Sequence, residues 1–106
     1  MITLIVAAGL SAAAVQSPAV AAPRKAYASC LTGFAKKAAD DRMARQAFDT
    51  ALAAACALEK AAFRQAVVAD DMKRGAGRQD AEEGADLQIE DYLANIRDGY
   101  EPPEAE

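Results

Sequence analysis

Histidine and tryptophan are absent from the 106 residues. Without histidine there is no imidazole to activate a serine or cysteine, to ligate zinc or to titrate near neutral pH. Without tryptophan the broadest aromatic stacking platform is missing as well. Beyond residue 21 there is no run of β-branched residues and no alternating apolar segment, so the pattern offers no strand. A chain this short is also too small for a doubly wound α/β enzyme or a closed barrel, and builds one small domain at most.

What is present is mostly alanine. The hydrophobic class makes up 53% of the chain, but 29 of those 56 residues are Ala. Eight of the larger apolar side chains fall in residues 1–21, leaving 17, with two cysteines, for the remaining 85 residues. That is a thin core.

Residues 1–23 carry no charge. Ile2 to Val15 form an apolar run of export-signal length, broken by Gln16, Ser17 and Pro18, although the usual basic start is missing. Ala19-Val20-Ala21 then places small residues at the two positions a signal peptidase reads, which predicts cleavage between Ala21 and Ala22. The run is short of the roughly 20 residues that span a bilayer, but an uncleaved tether is the alternative. A lipid anchor at Cys30 is excluded, because Arg24 and Lys25 separate it from the apolar run. The expected division is a signal helix over 1–21, an α-helical domain over 22–100 and a disordered acidic tail over 101–106, in a periplasmic or secreted protein.

Cys30 and Cys56 are the only cysteines. In an exported chain they are expected to form a disulfide. A separation of 25 intervening residues is unlike a CxxC redox pair, and two thiols without histidine make a poor zinc site.

Ala, Glu, Lys, Arg, Gln and Leu dominate the rest, all strong helix formers. Helical spacing predicts an all-α, elongated three-helix arrangement over about 24–39, 41–73 and 78–98. Its stripes are Tyr27, Leu31, Phe34 and Ala38; Phe48, Leu52, Cys56, Phe63 and Val67; and Ala85, Ile89, Tyr92, Leu93, Ile96 and Tyr100. Gly75-Ala76-Gly77 separates the second helix from the third. A continuous helix would hold the two cysteines about 39 Å apart, too far for a disulfide. The bridge therefore requires a hairpin with its turn at about 39–42, where Asp40 and Asp41 are candidate N-caps. On lengths alone, the first helix should cover the N-terminal half of a long second helix, and the third its C-terminal half.

Charge is segregated. Residues 22–45 sum to +4, residues 46–79 to +1 and residues 80–106 to −9. Glu82, Asp86 and Glu90 lie in line on the third helix, and with Tyr92, Ile96 and Tyr100 they form the expected contact surface for a cationic partner. A straight helix cannot wrap its own carboxylates round calcium, and no EF-hand loop is present, so no metal or cofactor is expected. The negative total and the lack of a basic patch interleaved with aromatics argue against nucleic acid. Glu59 and Asp70 fall on the apolar stripe of the second helix and need partners, for which Arg64, Arg78 and Arg97 are candidates.

The run Cys56-Ala57-Leu58-Glu59-Lys60-Ala61-Ala62-Phe63-Arg64, with Asp70-Asp71-Met72 and Ile89-Glu90-Asp91-Tyr92, resembles uncharacterised small exported two-cysteine α-helical proteins of alphaproteobacteria. The resemblance implies export and a helical fold, and no activity. The expected protein is non-enzymatic and acts by contact with an envelope protein or with itself. A small enzyme and a disulfide-linked dimer are the alternatives, and membrane contact is expected only if the N-terminal segment stays uncleaved.

Overall fold

The structure, a computed structural model, describes residues 17–102. Those residues form four helices, α1 (Pro18–Asp40), α2 (Arg45–Ala54), α3 (Ala57–Lys73) and α4 (Arg78–Gly99). The arrangement is all-α and elongated. The expected signal segment lies outside the described residues up to residue 16, as does the tail beyond residue 102.

α1 and α3 run antiparallel, with Tyr27 stacked on Phe63 at 5.9 Å between ring centres and Cys30 bonded to Cys56. α4 turns back along α3 and so lies parallel to α1, where Arg24 meets Gln88 and Tyr92. α2 is short and crosses the end of this three-helix body, packing Phe48 between Phe34 and Tyr100.

The expected 41–73 helix is thus two helices, and α1 lies mainly along α3 rather than along the N-terminal half of a long helix. The break falls at Ala55, which is extended (ψ 148°), and Cys56, which is left-handed (φ 59°, ψ 41°). Neither residue breaks helices by type, and a left-handed non-glycine residue costs roughly 1–2 kcal/mol. The bend is offset by what it permits: α3 can aim Phe63 at Tyr27 while α2 aims Phe48 at Phe34. Lys60 reaches back over the joint and donates to the Ala53 carbonyl at 3.2 Å, filling one of the acceptors left at the end of α2.

All six aromatic residues are used in two groups, one on either side of the disulfide. Tyr27 and Phe63 form the first with Tyr92, which stands edge-on to both at 6.0 and 5.7 Å. Phe34, Phe48 and Tyr100 form the second, with Phe48 and Tyr100 face to face at 3.7 Å. Leu31, Leu52, Val67, Ala81, Ala85, Ile89 and Leu93 fill the space between helices. Val20 is also in this core, 4% exposed, and burying a valine side chain contributes roughly 1.5–3 kcal/mol.

Asp40 and Asp41 do not cap the next helix. α1 runs through Asp40, and Asp41 ends it and pairs with Lys37 one turn back. None of the four helices has a side-chain N-cap bond. The two hairpin turns are instead closed by backbone. Arg42 N–H donates to Ala39 and Met43 N–H to Ala38 at the end of α1; Gly75 N–H donates to Met72 and Ala76 N–H to Asp71 at the end of α3. This is the Schellman pattern, whose C′ residue must be left-handed. At the second turn that residue is Gly75, with φ 108°; at the first it is Arg42, with φ 59°.

Two stability predictions follow from these joints. A C30S/C56S double variant should lose roughly 3.5 kcal/mol in a denaturant melt, the loop-closure value for a separation of 26 residues. Arg42→Gly should gain about 1 kcal/mol, because glycine takes the left-handed conformation without the Cβ penalty; a loss of stability on that change would contradict the turn geometry.

Candidate functional site

α4 has two faces with different chemistry. Ala81, Ala85, Ile89 and Leu93 recur at four-residue steps and are buried. The acids therefore fall on the opposite side, where Glu83, Asp86, Glu90 and Asp91 are exposed.

The acidic line is not uniformly free. Asp86 receives two hydrogen bonds from Arg64 of α3, from Nε at 2.7 Å and from Nη2 at 3.2 Å. This bidentate pair holds the Asp86 carboxyl below its ordinary value and raises Arg64 above its own. Glu82 lies 3.6 Å from Arg78, one turn back in the same helix. Among the described residues, Glu90 and Asp91 have no cation within ion-pair distance, and Glu83 is met only by the neutral side chain of Gln79. Leu87 sits among these carboxylates and is 67% exposed, so the uncompensated part of the face is Glu83, Leu87, Glu90 and Asp91. Leu87 is absent from the surface expected on sequence. The buried stripe passes through Ala85 and Ile89 on either side of it.

The aromatic half of the expected surface is elsewhere. Tyr100, expected on the contact surface, is 4% exposed and packs in the core. Its ring stacks on Phe48, and its hydroxyl donates to the Met43 carbonyl at 2.6 Å, with the Ala38 carbonyl at 3.3 Å. Arg45 completes the anchor: it donates to the Tyr100 carbonyl at 2.8 Å and the Arg97 carbonyl at 3.0 Å, a cation at the negative end of α4. Tyr92 is half-buried, and its hydroxyl accepts a hydrogen bond from Arg24 Nη1 at 2.9 Å. Ile96 is half-buried and lines a groove of about 490 Å³ between α1 and α4, beside Ala35, Ala39 and Gly99.

The two acids of the apolar stripe find different solutions. Asp70 pairs with Arg74, one turn on at the C-cap of α3, and not with Arg64, Arg78 or Arg97. That hydrogen bond lowers the Asp70 carboxyl against the opposing effect of burial. Glu59 has no ion pair among the described residues; its carboxylate comes within 4.8 Å of both sulfurs of the disulfide. Metal ligation needs thiolates, and these sulfurs are bonded to each other, so this group offers a cation one carboxylate only. The intrachain bond also leaves no free cysteine for a covalent dimer.

No family model matches the chain, and no curated protein or solved structure matches it significantly.

The Arg64–Asp86 pair gives a pH prediction with a defined sign. Because the folded-state carboxyl is depressed, its contribution is present above the ordinary carboxylate value and is lost as pH falls through the lowered value. Arg64→Ala should therefore return the Asp86 titration, followed by carboxyl-carbon NMR, to the ordinary aspartate range. With both groups largely in solvent, the stability difference from wild type at pH 7 should be small, because solvent screens the pair, and should vanish in acid.

Proposed function

We propose that the protein is an exported, non-enzymatic helical protein of the cell envelope that works by binding another protein through the exposed face of α4. The observation that carries this reading is the Cys30–Cys56 disulfide, which persists in oxidising compartments and is rare where thiols are kept reduced. The apolar N-terminal run and the small residues that follow it support export from the sequence side.

The contact face follows from charge and exposure. Glu83, Glu90 and Asp91 surround an exposed leucine, so the partner is a surface with basic side chains about an apolar recess. Carboxylates of this kind steer association more than they stabilise the complex, and their effect weakens with salt. The leucine supplies the area that leaves water.

The test is capture from the native envelope with a C-terminally tagged chain, at low and high ionic strength. The reading predicts a partner that is retained by wild type, released by salt, and lost from an E83K/E90K/D91K variant and from Leu87→Glu. Equal retention by both variants would reject this face, and recovery of the tagged chain from the cytoplasm would reject the export reading itself.

A further inference from the structure

α1 and α4 lie side by side and leave a groove open between them. Its first stretch, about 120 Å³, has Arg24 on the α1 wall and Asp91 on the α4 wall. Its second, about 490 Å³, sets Ala35, Lys36 and Ala39 of α1 across from Ile96, Gly99 and Glu101. The side chains between the charges are small or apolar, so another helical surface can approach closely.

The charges are sorted by wall. Both cations, Arg24 and Lys36, come from α1, and both acids, Asp91 and Glu101, come from α4 or the residues just past it. Among the described residues, none of these four has an ion-pair partner. Arg24 meets neutral groups only: it donates to Tyr92 and Gln88 and stands over the Phe63 ring at 5.1 Å. The two walls also run in step. The bonds of Arg24 set it level with residues 88–92, and Lys36, about three turns further along α1, shares its stretch with Glu101.

We propose that the protein forms a two-fold symmetric dimer through this groove, the occupant being a second copy of the chain. An isologous interface brings one patch against itself, so that patch must be self-complementary. A two-fold axis running along the groove sets α1 of each copy over α4 of the other, at the same level. Lys36 then faces Glu101 of the second copy, Arg24 lies over Asp91 of the second copy, and each contact occurs twice. An axis running across the helices would instead set α1 on α1 and α4 on α4, cation against cation and acid against acid, which is unfavourable. The dimer also covers Ile96, which is half-buried in the single chain.

The interface is small. Two helices side by side span about 20 Å, and the length they share is about 30 Å. Each copy therefore covers roughly 600 Å², against about 800 Å² in a standard interface. The pair is a weak one, formed at high concentration and loosened by salt, which screens its charges.

Sedimentation equilibrium of the untagged chain, purified from cells expressing the full sequence, tests this over a concentration series at low and high salt. The mass should rise from one chain toward two with concentration, and less so in high salt. Lys36→Glu and Glu101→Lys alter exposed side chains, so both variants should melt with wild type. Each reverses one charge at both symmetric contacts and should weaken association about tenfold. An equimolar mixture of the two variants restores opposite charges at both contacts and should pair as wild type does. A chain that stays monomeric at every concentration overturns the proposal, as does self-association that neither variant weakens. Variants that stay apart when mixed overturn the two-fold arrangement. Glu83, Leu87 and Glu90 line neither stretch of the groove, so loss of this dimer leaves the partner proposed for that face untouched.

Discussion

The Cys30–Cys56 bond is the constraint on which the rest of the structure depends. It joins α1 to the joint between α2 and α3, at the level where the aromatic side chains divide into two groups. On one side, Tyr27, Phe63 and Tyr92 hold three helices together; on the other, Phe34, Phe48 and Tyr100 hold the crossing helix. Each aromatic pair adds roughly 0.5–1.5 kcal/mol beyond the area it buries. With so few large side chains for its length, the domain has little other apolar area to draw on, and small cores of this kind commonly depend on covalent staples.

The same constraint accounts for the least expected piece of backbone. A stretch reading Ala-Leu-Ala-Ala-Ala-Cys-Ala-Leu-Glu-Lys has every reason to continue as one helix. It breaks because two sets of contacts cannot be satisfied along a single axis: Phe63 must reach Tyr27 while Phe48 reaches Phe34 and Tyr100. Cys56 takes the left-handed conformation at the joint, and local strain of this sort persists only where the surroundings over-determine it. The disulfide, the two aromatic groups and the Lys60 bond across the joint provide that over-determination.

Much of this was legible in the sequence, and the remainder was not for identifiable reasons. The helix-forming composition, the stripes at three- and four-residue steps and the cysteine spacing lead to helices and to a bridged hairpin. The Gly75 turn was legible because glycine is the usual left-handed residue; the first turn was placed by the cysteine spacing, but Arg42 as its left-handed residue was not legible, since arginine seldom takes that role. The break at Ala55-Cys56 arises from tertiary contacts and has no local marker. On sequence the partner of Asp70 is left open among Arg64, Arg78 and Arg97, and Arg74, one turn away, is not among them. Of the candidate surface, the acids were correctly separated from the core by their spacing. Tyr100 follows Ile96 at a four-residue step, which groups it with the contact surface; the stacking on Phe48 reveals that it belongs to the core.

The functional reading and the fold meet in α4, whose buried side completes the core and whose outer side carries the uncompensated charge. The disulfide holds α1 and the α2–α3 joint in register around it. Amide hydrogen exchange, read residue by residue in the oxidised and the reduced protein, tests this most directly. The account predicts that reduction first removes protection from α2 and from the C-terminal half of α1, around Leu31 to Ala38, while the α3–α4 pair retains it longer. Uniform protection that is unchanged on reduction would contradict the central role given to the Cys30–Cys56 bond.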